Sequence, residues 1–303
     1  MATSVPWKGV YPALLTPFTA TDELDLPLFV KNLHAQLSAG VHGMIIAGSL
    51  GEVSTLTAPE KLTLLETAIE TVEGRVPVIM NVAESVTREA IRRVQEAEAA
   101  GADGLMLLPP MRYYADSRET VAYFSAIAKE TSLPIMIYNN PVDYKIMTTV
   151  AMFEELAALA NIQAVKESTR DLTNIARMRN AFGDRFRILG GVDTLALEAL
   201  LVGADGWVAG LVDAFPQETV AIYELAKAGK VEEALSIYRW FMPLLELDIQ
   251  PKLVQYIKLA AAATGIGSEY VRAPRLTLEG EERTRITGII EAALAVRPVL
   301  QPA

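Results

Sequence analysis

The chain has 303 residues, 51% of them apolar and 21% charged, enough for one barrel-sized core or two ordinary ones and too apolar for disorder. A formal net charge of -10 speaks against nucleic acid or an anionic membrane as partner, and the absence of cysteine excludes disulfides, thiolate metal sites and cysteine nucleophiles. The start, Met1 to Lys8, has no basic stretch followed by an apolar one, and no apolar run approaches a membrane span, so a cytoplasmic soluble protein is the expectation.

In chain order, short apolar runs predict strands at Val10 to Leu15, Gly43 to Ala47, Val78 to Asn81, Gly104 to Leu108, Pro134 to Tyr138, Ile162 to Lys166, Arg187 to Gly190 and Gly206 to Ala209. Longer amphipathic stretches separate them. This alternation of βα units predicts an α/β fold with a parallel sheet, and eight strands predict a closed (β/α)8 TIM barrel. Three connections, Gly40-Val41-His42-Gly43, Gly101-Ala102-Asp103-Gly104 and Gly203-Ala204-Asp205-Gly206, share a device. The first Gly suits the residue after a helix, and the second permits tight entry into the strand. Thr57-Ala58-Pro59-Glu60 reads as a capping box with proline in the first turn. After about residue 228 the pattern turns to helices alone: Val231 to Leu247, Pro251 to Ala263 and Glu279 to Ala295. The expected organisation is a barrel over 1–228 carrying the site and C-terminal helices over 229–303 packed on it.

In such a barrel the chemistry sits where strands end. Lys166 ends the sixth run, where burial favours the neutral, nucleophilic amine able to form a Schiff base; the bland alternative is a snorkelling or salt-bridged lysine. Tyr138 ends the fifth run, in Tyr138-Asn139-Asn140-Pro141, and offers a phenol for proton transfer. Gly48-Ser49-Leu50-Gly51-Glu52 follows the second run, where amides and a hydroxyl suit a carboxylate, although by itself the motif reads better as a tight turn with an incidental serine. In a chain this acidic, an anionic substrate needs such local donors. The only two histidines, His34 and His42, have no metal-like spacing and read as structural or solvated.

Taken together, five segments resemble the dihydrodipicolinate synthase and N-acetylneuraminate lyase family of class I aldolases and lyases. They are Gly9 to Phe18, Gly48-Ser49-Leu50-Gly51-Glu52, Ile137-Tyr138-Asn139-Asn140-Pro141, Val165-Lys166-Glu167-Ser168 and Gly190-Gly191-Val192-Asp193. The resemblance runs from about Trp7 through the third terminal helix. It implies that Lys166 is the Schiff-base lysine, Tyr138 the proton-transfer phenol, and Ser49 with Gly48 and neighbouring amides the carboxylate holder. It places Gly191 and Val208 beside the lysine and matches Tyr113 loosely to a tyrosine that family members exchange across a dimer interface. It implies a homo-oligomer, a dimer of dimers, with no metal or organic cofactor.

Two departures stand out. Synthases of the family carry two adjacent threonines where this chain has Ser49-Leu50, and Leu50 cannot relay a proton. They also carry an arginine for the aldehyde's carboxylate where this chain has Asp143. With Trp7-Lys8-Gly9-Val10, the motifs look most like the subgroup of 1-pyrroline-4-hydroxy-2-carboxylate deaminases of hydroxyproline breakdown, whose products are 2,5-dioxopentanoate and ammonia. The implied partner is a small-molecule 2-keto or cyclic imine carboxylate. Asn140, Asp143 and Ser168 could instead hold the hydroxyls of a 2-keto-3-deoxy sugar acid in a dehydratase or aldolase. The synthase reaction and a non-catalytic binding barrel are the remaining alternatives.

Overall fold

A computed structural model describes residues 5–110 and 112–300. Residues 1–4 of the Met1 to Lys8 segment, and the last three of the terminal region, lie outside it. Among the described residues, eight parallel strands are Gly9–Pro12 (β1), Met44–Ile46 (β2), Val78–Val82 (β3), Gly104–Leu107 (β4), Ile135–Asn139 (β5), Ile162–Glu167 (β6), Arg187–Gly190 (β7) and Gly206–Ala209 (β8). They run in the order β1-β8-β7-β6-β5-β4-β3-β2, and the bridge Ala13 to Ile45 brings the two ends together. This is the TIM barrel. Nearly every strand residue is buried, as expected where helices cover the outside of a parallel sheet and side chains fill its inside.

The helices are Leu26–Ala39 (α1), Ala58–Val72 (α2), Thr87–Ala99 (α3), Ser117–Ala128 (α4), Pro141–Tyr144 (α5), Val150–Leu156 (α6), Thr173–Phe182 (α7), Ala196–Leu201 (α8), Pro216–Lys227 (α9), Val231–Leu245 (α10), Leu253–Ala263 (α11) and Gly280–Ala295 (α12). The Thr57 box forms as read, with Glu60 returning to the Thr57 amide. The paired glycines divide their work as the pattern suggested. Gly40 has φ 84° after α1, whereas a Cβ on Gly206 would lie 2.3 Å from the Gly9 carbonyl oxygen on the adjacent strand.

The first strand stops earlier than its apolar run. Beyond Pro12 the backbone divides its bonds: Ala13 N donates to Ala209 O, Leu14 N to Ile45 O, and Leu15 N to the Asp213 carboxylate. This segment closes the ring instead of extending one ladder. Between β5 and β6 the register shifts after Ile135, leaving Gln163 as the extra residue and pairing Tyr138 with Lys166. A one-residue offset flips side chains to the other face, so this bulge is what makes lysine and phenol neighbours.

The turn from α9 to α10 falls at residues 228–230. α10 ends at Leu245, two residues before its predicted end, and passes into a 3-10 turn, Glu246–Ile249, ahead of Pro251. The C-terminal helices hold the barrel through buried polar contacts. Lys258 of α11 reaches Glu52 at 2.5 Å, both side chains being essentially inaccessible, and Asn32 of α1 donates to Ile266 O. His42 is structural: Nδ1 accepts from the Val10 amide and Nε2 faces Glu224 at 3.2 Å, while His34 is exposed on α1.

Candidate active site

At the C-terminal end of the barrel a cavity of about 80 Å³ is lined by Lys166, Tyr138, Ser49, Leu50, Val208 and Asp248, among others. That is room for several waters or one compact acid. Gly48, Asn140, Asp143, Ser168 and Gly191 also border it, so nine of the ten residues predicted for the site converge here. Tyr113 does not. It is 58% exposed, and its hydroxyl donates to Glu119 of α4. No helix among the described residues is long and apolar enough to cross a membrane.

Lys166 projects from the end of β6 and is 7% exposed. Its Nζ lies 4.1 Å from the centroid of the Tyr138 ring. Burial pulls its pKa down, opposed by the charges of Asp248, Asp193 and Asp143. The lysine stem fits only because residue 191 is glycine: a Cβ there would sit 2.8 Å from Lys166 Cε and 2.2 Å from Ser168 Oγ. Burial raises the pKa of Tyr138, whose hydroxyl accepts from Asn140 Nδ2 at 3.2 Å. That phenol stays protonated at neutral pH and is available to give a proton before taking one.

The Ser49 hydroxyl is hydrogen-bonded to Tyr144 at the end of α5. The Tyr144 ring meets Tyr138 edge to face at 5.6 Å. Tyr144 thus supplies a second phenol near the place where Leu50 removes a hydroxyl. The Ser49 and Leu50 amides have no hydrogen-bond acceptor among the described residues, consistent with an anion-holding turn. Close packing is required at Gly51, where a Cβ would come within 2.7 Å of the Leu14 carbonyl, and not at Gly48, where a Cβ would make an ordinary contact with Met106 Cε at 3.9 Å.

Several motif residues serve as supports. Asn139 exchanges two hydrogen bonds with the Thr148 backbone and fixes the loop after α5. Glu167 accepts from Asn174 at 2.6 Å and from the Thr169 amide, anchoring the turn after β6. Asp193 accepts from Trp207 Nε1 and from the Gly210 and Leu211 amides, which locks β7 to the loop after β8. Tyr144, Arg170 and Asp248 line the site's surroundings without having been singled out in the sequence. Asp248 had one weak signal, an acid interrupting the apolar stretch before Pro251.

A TIM barrel whose C-terminal mouth joins a buried lysine, a phenol and a turn offering a serine hydroxyl and backbone amides has the parts of a class I, imine-forming lyase or aldolase. The chain belongs to the dihydrodipicolinate synthetase family, whose match spans residues 6–293. It is 35% identical over 297 residues to a 4-hydroxy-tetrahydrodipicolinate synthase of Exiguobacterium sibiricum, covering 97% of this chain and 99% of that one. To the enzyme so named in Ruegeria pomeroyi it is 33% identical over 288 residues, covering 95% and 99%. Its fold superposes on the 4-hydroxy-tetrahydrodipicolinate synthase of Methylacidiphilum fumariolicum SolV with a TM-score of 0.90 at 29% identity, covering 95% of this chain and 97% of that one. These relatives are named for the condensing enzyme and not for the deaminase subgroup that the motifs resemble.

Proposed function

We propose that this enzyme deaminates 1-pyrroline-4-hydroxy-2-carboxylate to 2,5-dioxopentanoate and ammonia. The observation that carries the reading is Asp143 in the cavity wall, where the condensing reaction calls for an arginine. Leu50, 5% exposed, supports it, since it gives that corner an apolar surface in place of a relay hydroxyl. The small cavity suits a five-membered ring.

In this reading the substrate carboxylate lies at Ser49 and the free amides. The Lys166 amine attacks C2, the C2–N bond of the ring breaks with a proton going to the departing nitrogen, and an open-chain imine on Lys166 results. That imine acidifies C3. Tyr138 moves the C3 proton, the C4 hydroxyl leaves as water, and tautomerisation gives a terminal imine. Water hydrolyses that imine to aldehyde and ammonia, and a second water frees Lys166. The net change is substrate plus one water to 2,5-dioxopentanoate plus ammonia, so no aldehyde partner is needed.

The second reading is the condensing reaction itself, which the names of the relatives favour. Ammonia release from the hydroxypyrroline, run beside pyruvate plus aspartate 4-semialdehyde and beside a 2-keto-3-deoxy sugar acid, separates them. The deaminase reading expects turnover of the pyrroline alone, and condensation of pyruvate with the semialdehyde would replace it.

The lysine also has a pH signature. Burial lowers its pKa from 10.5 to about 8. The free amine is the reactive form, so the rate of borohydride-trappable imine formation with pyruvate should climb through pH ~8 and then level. A rate still rising at pH ~10 would assign the reaction to an ordinary exposed lysine.

A further inference from the structure

Asp248 comes from outside the barrel strands. It sits in the 3-10 turn Glu246–Ile249 that follows α10, and it borders the cavity that holds Lys166. Its Oδ1 lies 2.8 Å from the point a Cβ on Gly210 would occupy, and Asp193 Oδ2 lies 3.4 Å from the same point, so the two carboxylates crowd one side of the site. Asp193 is already engaged by Trp207 and two amides. Asp143, at the mouth, is bonded to Asn140. Of the two basic residues lining the cavity, Lys166 is committed to the imine, which keeps its positive charge, and Arg170 is exposed at the rim. An incoming acid therefore finds donors for one carboxylate at Ser49, and meets acidic groups elsewhere.

We propose that Asp248 is a specificity-determining residue that receives a basic nitrogen on the distal end of the substrate and disfavours a second carboxylate there. The physical ground is pairing: an ammonium brought into the closed site gains a carboxylate partner in Asp248, whereas a second carboxylate gains none there, because the one lining cation besides Lys166, Arg170, is exposed at the rim. Burial and the neighbouring Asp193 hold the Asp248 carboxyl well above the usual carboxylate range. In that state Asp248 is a neutral acid until a base reaches it: a departing amine takes its proton and keeps the carboxylate as counter-ion, whereas a second carboxylate takes no proton and gains no ion pair. In the ring opening described above, the C2–N electron pair stays on nitrogen, the Asp248 proton joins it, and carboxylate and ammonium are left side by side.

The inference rests on imine formation at Lys166 and not on deaminase turnover, so its test uses binding. Three five-carbon probes are competed against pyruvate for borohydride trapping at Lys166, read by peptide mass. They are 1-pyrroline-2-carboxylate, which opens to an amino acid; 2-oxopentanoate, neutral at the far end; and 2-oxoglutarate, anionic there. The native enzyme is expected to prefer them in that order, with about tenfold between the first and last at least. Asp248→Asn should compress the order, improving 2-oxoglutarate relative to the pyrroline and leaving 2-oxopentanoate in place. A purely structural role would weaken all three alike, and that result overturns the proposal. So does 2-oxoglutarate competing as well as 2-oxopentanoate in the native enzyme, which needs no variant to fold. Absence of any pyruvate adduct removes the Lys166 reading itself and the inference with it.

Discussion

Lys166→Ala is expected to lose turnover by on the order of 10^5-fold or more, and to lose all borohydride trapping, because the covalent route has no second amine to take its place. Tyr138, Ser49 and the free amides would still bind the substrate, yet C3 would never be acidified. The fold should survive. Among the described residues Lys166 makes no hydrogen bond that ties two elements together; the supports around it run through Asn139, Glu167 and Asp193. Removing its charge takes away one stabilising cation from Asp193 and Asp248, but a buried carboxyl with a raised pKa answers by taking up a proton. Circular dichroism and a melting curve close to native, together with absent turnover, are the expected pair. Residual activity above about one part in a thousand would refute the imine mechanism.

Lys258→Met carries the second large effect, on stability. Lys258 lies 2.5 Å from Glu52, donates to Tyr270 O at 2.6 Å and sits 4.5 Å over the Phe18 ring. Glu52 is wholly inaccessible, and its other oxygen receives the Arg272 amide and faces Arg275 at 3.5 Å. Taking away the lysine strands a buried carboxylate oxygen, which costs about 3–5 kcal/mol, whereas removing both partners costs much less. The double variant Glu52→Gln with Lys258→Met should accordingly recover a good part of the loss in denaturant titration. Because Glu52 ends the turn bearing Ser49 and Leu50, the single variant should also weaken binding of 2-oxo acids. A loss below about 1 kcal/mol would show that this pair does not tie the C-terminal helices to the barrel.

Much of this was legible in the sequence because it follows from local rules. Apolar runs locate all eight strands, and Gly and Thr-Ala-Pro-Glu signals locate turns and a helix start. The site's core was legible for a related reason: residues at the ends of barrel strands point into one mouth, so Lys166, Tyr138 and Ser49 converge without any long-range information. What escaped depends on register and tertiary placement. Nothing in Ile162-Gln163-Ala164 announces the bulge that pairs Lys166 with Tyr138. The early end of β1 reflects a chain that bonds to two neighbours and a side chain at once. Tyr144 reaches Ser49 only because α5 turns back over the mouth, and Asp248 enters from helices that sequence reading placed as an appendage.

The most direct test of the account is to quench the enzyme with borohydride during incubation with 1-pyrroline-4-hydroxy-2-carboxylate and map the adduct by peptide mass. The account predicts a five-carbon adduct on Lys166 alone, formed while ammonia is released. An unmodified Lys166 during ammonia release, or an adduct on another lysine, would contradict it.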